Sequence, residues 1–336
     1  MAAHHVVAQR NSAPHVPEGS PMTTPVDTVA AAVAAADAPT FEARKIASGF
    51  SWPECPRWHD GALWFSDMYT GTLKTLDADG NATVVIDANG RAADTDVPIT
   101  LGGFGWLPDG RLIVNSMHEQ KVLVHGGNGI DDLTVYADVS EFAIKAVNDM
   151  VVDADGRAYI TQLGFDIFQG ETPITSPLIV VEPDGTAHVP AGIPELNCGN
   201  GIGISADGSK VYVAEVMAQK ITVIDRAADG SLSNARDFAT CPFMPDGIGL
   251  DEDGGVWAAM PGGGYVARFT EDGLTDAVPM PLEGGIASAC LLGGPDRSTL
   301  YMTVGYEVFD FEKSAREALG TIWVADVKHH GGQTRP

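Results

Sequence analysis

The sequence predicts an all-β fold in the form of a six-bladed β-propeller with four-stranded blades. Three observations lead to this prediction. From Phe41 onward, short apolar runs alternate with turns rich in glycine and aspartate, and one such unit recurs along the chain. Most of the units also contain a second turn of the same kind. Recurrence at a regular period is the sequence signature of repeat architectures.

Each repeat begins with an aspartate turn that leads into a short apolar strand. A turn of this composition between two strand-like runs is typical of a β-hairpin. The repeats are about 40 to 50 residues long, which suits one propeller blade. The six turns begin at Asp60, Asp109, Asp155, Asp207, Asp253 and Asp296.

A second hairpin turn follows within most repeats, and two hairpins make four strands. Six four-stranded sheets arranged radially form a propeller. The second turns are Asp79-Gly80, Asp184-Gly185, Asp229-Gly230 and Asp272-Gly273.

The last repeat predicts how the ring closes. Residues 320–325 have the pattern of its third strand, and we expect residues 41–46 to supply the fourth. Closure of this kind removes open sheet edges. We therefore predict one propeller domain over residues 41–336. Residues 1–40 show no periodicity and are predicted to form a flexible tail.

Composition and charge narrow the range of partners. The formal net charge is -25 and the isoelectric point is about 4.4. Nucleic acids and anionic membranes need a basic face, so we expect neither as a partner. The chain has no apolar run long enough to span a bilayer and no signal-peptide pattern, which predicts a cytoplasmic protein. The four cysteines form no C-x-x-C pair and are expected to be reduced and buried.

A candidate binding site on the propeller axis is predicted from the residue that stands seven or eight positions before each turn glycine. In a propeller the first strand of each blade lines the central channel, so equivalent positions converge on one point of the axis. Two repeats have glycine or alanine there, Gly102 and Ala289. The other four carry oxygen donors, which are Glu54, Asn148, Asn200 and Asp246.

This set of side chains favours a divalent cation on the axis. Two carboxylates close together repel each other unless a cation lies between them. Oxygen ligands suit Ca²⁺, Mg²⁺ or Mn²⁺; we expect Ca²⁺, with Mg²⁺, Mn²⁺ or Zn²⁺ as alternatives. Asparagine and aspartate beside glycine are also ordinary turn residues. Their occurrence at one register in four repeats favours the metal site.

The motifs around these positions resemble one known family. They are Glu54 in WPECPRW, Asn148-Asp149 followed by V-D-x-x-G-R, Asn200-Gly201 followed by S-x-D-G, and Pro245-Asp246-Gly247. Together they resemble the senescence marker protein, gluconolactonase and luciferin-regenerating enzyme family over about residues 41–326. The resemblance implies a six-bladed propeller that hydrolyses lactones with one divalent metal on its axis.

The resemblance also implies roles for individual residues. Glu54, Asn200 and Asp246 are implied to bind the metal, and Asn148 lies beside it as a further ligand or a substrate contact. Asp246 is also implied to be the catalytic base. The chemistry agrees, because a metal polarises the lactone carbonyl and a carboxylate can take the proton of an attacking water.

Further residues are expected to contact the substrate. Asp166 matches by residue count an acidic substrate contact of some sugar-lactone members. His118 and Trp106 are expected to line the opening of the channel. One position departs from those members, which carry an arginine where this chain has Ala146. This departure puts specificity for sugar lactones in doubt.

Two alternatives remain at this stage. A phosphotriesterase-like hydrolase of the same fold would use the metal to polarise a P=O bond. A noncatalytic propeller would bind a partner on its end face and hold a purely structural ion. The expected partner of the leading hypothesis is a small lactone or ester.

Overall fold

The computed structural model describes residues 23–89, 91, 99–166, 169–281 and 283–335. Their strands form six antiparallel sheets of four strands each. The first strands of successive sheets pack against one another in a ring around a central channel. The molecule is therefore a six-bladed β-propeller, which confirms the predicted fold. Each predicted repeat corresponds to one blade.

The strand bounds follow the repeat order. Blade 1 contains β2 (Pro53–His59), β3 (Ala62–Asp67), β4 (Thr72–Leu76) and β5 (Ala82–Asp87). Blade 2 contains β6 (Leu101–Trp106), β7 (Leu112–Ser116), β8 (Lys121–His125) and β9 (Leu133–Asp138). Blade 3 contains β10 (Val147–Val152), β11 (Ala158–Gln162), β12 (Ile179–Val181) and β13 (Ala187–His188).

Blades 4 and 5 continue this order. Blade 4 contains β14 (Gly199–Ile204), β15 (Lys210–Glu215), β16 (Lys220–Arg226) and β17 (Leu232–Thr240). Blade 5 contains β18 (Ile248–Leu250), β19 (Val256–Met260), β20 (Tyr265–Thr270) and β21 (Gly273–Pro279). Blade 6 contains β22 (Ile286–Gly293), β23 (Thr299–Gly305), β24 (Gly320–Asp326) and β1 (Arg44–Phe50).

A strand from before blade 1 closes the ring. β1 runs antiparallel to β24, with Arg44 opposite Val324 and Phe50 opposite Gly320. The predicted closure is confirmed, although the strand lies a few residues further along the chain than residues 41–46. Phe41 instead donates its backbone N–H to Ala277 of β21.

Two helices accompany the strands of the described chain. Helix α1 (Pro25–Ala35) starts at a capping box formed by Thr24 and Asp27, and it buries Val29 and Val33 against blade 5. This ordered helix departs from the flexible tail predicted over residues 1–40, of which residues 1–22 lie outside the described residues. Helix α2 (Phe311–Glu317) lies between β23 and β24. Neither has the length and apolarity needed to cross a bilayer.

Strand direction gives the propeller two distinct ends. The first strands of all blades begin at one end, which we call the upper face. Each then runs to a turn such as Asp60-Gly61 at the opposite end, the lower face. The second turns, such as Asp79-Gly80, also lie on the lower face because the third strand of each blade runs in the same direction as the first. Loops that surround the upper end of the channel are therefore those between second and third strands and between blades.

The apolar core lies between neighbouring blades. One cluster, for example, joins Tyr212 and Val223 of blade 4 to Ile248 and Val256 of blade 5. Burial of both faces of each sheet explains why the strands are apolar on successive residues. The blades thus hold one another in place and fix where each first strand begins.

Candidate active site

The four predicted oxygen donors lie at the upper ends of the first strands. Glu54 and Asn148 are near the starts of β2 and β10, Asn200 is near the start of β14, and Asp246 precedes β18. Each is partly exposed, whereas the residues on both sides of it in the sequence are buried. This is the pattern of a side chain that points into a narrow channel.

A ring of hydrogen bonds between adjacent blades holds this level of the channel. Each blade donates one bond to a backbone carbonyl of the next blade, at or beside the predicted register position. The donor and acceptor pairs are Ser66 Oγ to Gly102 O (2.7 Å), Asn115 Nδ2 to Asn148 O (3.1 Å), Thr161 Oγ1 to Asn200 O (2.7 Å), Gly201 N to Asp246 O (3.2 Å), Gly247 N to Ser288 O (2.8 Å) and Ser288 Oγ to Pro53 O (3.1 Å).

This ring fixes the backbone through main-chain carbonyls, so the side chains of the four predicted metal ligands are not needed to hold it. Satisfied buried carbonyls also avoid the cost of unpaired polar groups. Three of the donors, Ser66, Asn115 and Thr161, end the apolar strand that follows the turn of their repeat. Sequence reasoning missed them, although a polar residue at the same place in three repeats was a visible signal.

β-Bulges turn the predicted donors toward the axis. The pairing of β2 with β3 shifts between Glu54 and Arg57, and corresponding shifts occur at Val147 in β10 and Gly199 in β14. A bulge inserts an unpaired residue and re-aims the side chains beside it. Cys55, next to Glu54, has a φ of 49° that few residues other than glycine adopt.

Glycines allow the first strands to approach closely. A Cβ atom on Gly103 would lie 2.1 Å from the backbone nitrogen of Met150 in the next blade. A Cβ atom on Gly247 would lie 2.2 Å from the Cβ atom of Ala289. No real side chain tolerates such distances, so glycine at these positions sets the diameter of the channel.

Both carboxylates of the ring have raised pKa values, and burial is the main cause for each. Burial raises the pKa of Glu54 from its ordinary value of 4.5 to about 7, and the charge of Asp149 adds to this. Burial also raises the pKa of Asp246 well above its usual range, with further contributions from Glu54 and Asp149. Negative charge is therefore unfavourable here without a compensating cation.

An ion pair lies directly beside these carboxylates. Arg57 donates to Asp149 at 2.6 Å, and both side chains are almost fully buried. The same guanidinium also binds the carbonyls of Phe104 and Met150. Arg57 is thus paired with Asp149, and its charge lowers the pKa of Glu54 only as the smallest of the contributions.

The residues at this level fit a divalent cation. They offer carboxylate oxygens from Glu54 and Asp246 and amide oxygens from Asn148 and Asn200, which are the donors that hard cations prefer. The raised pKa values of the two carboxylates reflect the unfavourable burial of negative charge, which a bound cation would offset. Asn148 and Asn200 each supply an oxygen atom that can bind a metal, and neither adds negative charge.

Aromatic side chains stand above this level on one side of the channel. Tyr69 stacks on Trp52 with ring centroids 5.9 Å apart and on Phe311 with centroids 4.2 Å apart. His118 lies next to Phe311 on the loop after β7. Burial lowers the pKa of His118, and the nearby carboxylate of Asp166 opposes this shift. The structure therefore brings His118 and Asp166 together on the upper face, while Ile167 and Phe168 lie outside the described residues.

Trp106 occupies a different place from the one its predicted role requires. It ends β6 at the lower face, where it stacks on His59 at 3.7 Å and contacts Trp64 edge-on. Gly102, at the start of the same strand, is the residue that faces the candidate site. Trp106 therefore does not line the opening near His118 and Asp166. Gly102 and Trp106 lie near opposite ends of β6, so residues of one repeat reach different faces of the propeller.

The cysteines pack close to the candidate site but lack the environment of a nucleophile. All four are buried free thiols, as the sequence predicted. Burial raises the pKa of Cys198 and that of Cys241 to about 12. Thiolates are therefore disfavoured at both positions.

A second acidic group lies on the lower face. Ligand atoms of Asp251, Asp253 and His329 lie within 4.8 Å of one another. However, both carboxylate oxygens of Asp251 accept bonds from Arg268, at 2.7 and 3.1 Å. This arrangement is an ion-pair network that already contains its cation, unlike the ring of Glu54 and Asp246.

The fold and the acidic upper end of the channel define a class of six-bladed propellers with an oxygen-lined axial site. Residues 52–306 match the family described as the SMP-30/gluconolactonase/LRE-like region. The chain belongs to this family.

Named relatives agree with this assignment. An L-arabinolactonase of Azospirillum brasilense is 38% identical over 144 residues, covering 42% of this chain and 43% of the relative. A pentonolactonase of Haloferax volcanii is 25% identical, covering 83% of this chain and 91% of the relative. These relatives and the family support a lactonase activity.

Solved structures agree with the fold. A luciferin-regenerating enzyme superposes with a TM-score of 0.70 at 20% identity, covering 86% of this chain and 96% of that chain. A protein described as the calcium-binding protein regucalcin from Agrobacterium tumefaciens strain C58 superposes with a TM-score of 0.67 at 19% identity. It covers 88% of this chain and 97% of that chain.

Proposed function

We propose that this protein is a divalent-metal-dependent hydrolase that opens a lactone at the upper end of its central channel. The observation that carries the proposal is the ring of four partly exposed oxygen donors at one register of four blades. Glu54, Asn148, Asn200 and Asp246 would hold the ion. Calcium is the preferred ion, because the donors are all oxygen and a structural neighbour is described as calcium-binding.

A bound divalent cation would supply Lewis acidity toward the carbonyl oxygen of the lactone. The remaining chemistry belongs to the chain. Asp246 accepts the proton of the water that attacks the carbonyl carbon. A carboxylate placed beside the attacking water can act as its general base.

The surrounding side chains position the substrate. The side-chain amide of Asn148 can donate to an oxygen of the lactone. Asn115 donates to the backbone carbonyl of Asn148 and so holds this residue in place. His118 and Asp166 stand at the edge of the upper mouth and are the proposed contacts for the outer part of the substrate. Proton transfer from Asp246 to the leaving alkoxide completes the opening of the ring.

The test measures lactone hydrolysis in protein freed of metal and then resupplied with Ca²⁺, Mg²⁺, Mn²⁺ or Zn²⁺. We expect activity to vanish with chelation and to return with at least one ion. Asp246→Asn is expected to lower kcat at least about a hundredfold. The matched control is Asp272→Asn, which changes an exposed carboxylate at a lower-face turn of the same blade.

Three outcomes would contradict the proposal in different ways. Absence of metal binding in calorimetry would remove the axial site. Metal binding without turnover of any ester would indicate a binding propeller with a structural ion. Turnover of a phosphotriester in place of lactones would assign the related hydrolase chemistry to the same ring.

A further inference from the structure

The wall above the candidate metal ring is an aromatic stack. Trp52, two residues before Glu54, begins it, and Tyr69 and Phe311 continue it toward the upper face. The hydroxyl of Tyr69 donates to the carbonyl of Val308 at 2.9 Å, so the polar group of this buried residue is already satisfied. His118 extends the stack beyond Phe311, with ring centroids 6.1 Å apart.

Among the described residues, the six positions that precede the metal ring on the first strands carry no charged side chain. These positions lie two residues before Glu54, Gly102, Asn148, Asn200, Asp246 and Ser288; Ser288 is the blade-6 residue whose carbonyl accepts the bond from Gly247. Three of these residues, Trp52, Ala146 and Ile286, belong to one apolar cluster. The full set is Trp52, Thr100, Ala146, Cys198, Met244 and Ile286.

Three of the cations on the surrounding loops are already paired with carboxylates. Lys145 binds Glu171 at 2.9 Å, and Lys313 binds Glu307 at 2.8 Å. Arg91 binds the buried Glu119 in the same way. These three side chains are therefore not available to neutralise an anionic group on a substrate.

The loops of the upper face also expose large apolar side chains. Phe309 is 64% exposed and Leu319 is 53% exposed, on either side of α2. Ile144 and Ile174, on loops of blade 3, are 37% and 51% exposed. Apolar side chains are thus also exposed on the loops around the channel mouth, outside the aromatic stack.

We use the name upper pocket for the upper end of the channel beside Trp52, Tyr69 and Phe311. We propose that this pocket selects lactones that carry an apolar alkyl or aryl substituent, with Phe311 as a specificity-determining residue. This inference rests on the proposed lactone hydrolysis at the metal ring. The ester group would lie at Glu54 and Asp246, and the substituent would lie along the stack of Trp52, Tyr69 and Phe311.

The physical reason is the difference between apolar and hydroxylated groups at such a wall. Apolar surface buried against aromatic rings is stabilised by the hydrophobic effect. A hydroxyl buried there without a hydrogen-bond partner gives up its hydrogen bonds to water, which costs free energy. Of the six residues that precede the ring, only Thr100 has a hydroxyl, so hydroxyls that lie along the aromatic stack would find few partners there.

The test compares three lactones with the same five-membered ring: unsubstituted γ-butyrolactone, alkylated γ-octalactone and hydroxylated D-galactono-γ-lactone. We expect kcat/KM for γ-octalactone to exceed those of the other two by at least about tenfold. Phe311→Ala is expected to reduce this preference about tenfold, mainly through KM. Phe309→Ala is the matched control, because it removes an exposed phenylalanine from the same loop outside the stack.

Binding is measured separately from turnover with the γ-lactam counterparts of the alkylated and hydroxylated lactones, which resist hydrolysis. Calorimetric titration of the wild-type protein is expected to show tighter binding of the alkylated lactam, and Phe311→Leu is expected to retain it. This variant keeps an apolar side chain in the stack and so controls for a folding defect in Phe311→Ala.

The outcomes separate this inference from the proposed function. A preference for D-galactono-γ-lactone in both turnover and binding would overturn the apolar pocket and leave the lactonase assignment intact. Preferential binding of the alkylated lactam without turnover of any lactone would support the pocket and overturn the assignment. Equal effects of Phe311→Ala and Phe309→Ala would remove Phe311 from its specificity role.

Discussion

Arg57 of blade 1 donates to the Asp149 carboxylate of blade 3 at 2.6 Å, across the start of blade 2. It also binds the carbonyl of Met150 at 2.6 Å. Because Asp149 follows Asn148 directly, this one guanidinium ties the strand that carries Glu54 to the strand that carries Asn148. The pair therefore holds two members of the candidate metal ring in register.

Removal of Arg57 is expected to destabilise the fold strongly. Arg57→Met leaves Asp149 as a buried charge without its partner, which costs about 3 to 5 kcal/mol. The free energy of unfolding in urea measures this loss. Arg111→Met is the control, because Arg111 pairs with Asp109 at the solvent-exposed surface and its loss is expected to cost at most about 1 kcal/mol.

The double variant Arg57→Met with Asp149→Asn tests the cause. If the buried charge is responsible, the second substitution recovers part of the lost stability. Equal losses in Arg57→Met and Arg111→Met would show that the buried pair contributes no more than a surface pair.

Gly103→Ala is expected to destabilise the ring through overlap with the backbone of blade 3. The added carbon would lie 2.1 Å from the nitrogen of Met150, so a first strand must move and a loss of about 3 kcal/mol follows. Gly199→Ala is the control, since its Cβ would meet side-chain atoms of Leu196 and Thr161 no closer than 3.3 Å. Its cost is expected to stay within about 1 kcal/mol. Thermal and urea unfolding of both variants measure the difference, and similar stabilities would argue against a tightly packed ring.

The metal-free protein is expected to lose stability as pH rises. Glu54 has a folded-state pKa of about 7 against an ordinary value of 4.5, so the folded state holds a proton that the unfolded chain has released. Stability from this group is complete below pH 4.5 and is lost as pH rises to about 7. Glu54→Gln should therefore show a smaller fall in Tm between about pH 5 and about pH 8 than the wild type.

Added calcium is expected to raise Tm more at the higher pH. A cation competes with protons for the same carboxylates, so its affinity grows as they ionise. Asp272→Asn should follow the wild type in both series. A calcium effect that is independent of pH would contradict the placement of Glu54 among the ligands.

Thr161→Val is expected to weaken metal binding without touching the ion. Its hydroxyl donates to the carbonyl of Asn200 at 2.7 Å and holds that residue in place. Loss of such a supporting bond lowers metal affinity by about tenfold or more. Thr222→Val is the control, because Thr222 is a buried strand threonine that binds Glu215 outside the ring. Calorimetry would contradict a positioning role for Thr161 if both variants bound calcium equally.

The repeat pattern was sufficient to predict the blades and the register of Glu54, Asn148, Asn200 and Asp246. Hairpin turns are encoded locally, so aspartate and glycine at regular spacing reveal them. The β-bulges that aim these side chains depend on contacts between blades, which a single repeat does not show. The same is true of Arg57, whose partners lie in blades 2 and 3.

Other features depended on strand direction or on distant contacts. Trp106 shares a strand with Gly102, but the strand carries it to the lower face. Helix α1 lacks a pronounced apolar stripe and acquires its burial from blade 5, through Val29 and Val33. Phe311 joins the upper pocket only because α2 is placed over Tyr69, more than two hundred residues away in sequence.

The closing strand β1 couples the stability of ring closure to the position of the proposed metal ligand Glu54. β1 ends at Phe50, and Glu54 follows within the first residues of β2. A break in the pairing of β1 with β24 would thus displace a proposed ligand almost at once. By the same coupling, an ion held at Glu54 would resist opening of blade 6, whose outer strand is β1. Without a bound metal, proteases would then cleave the chain near β1 faster, before any whole blade unfolds.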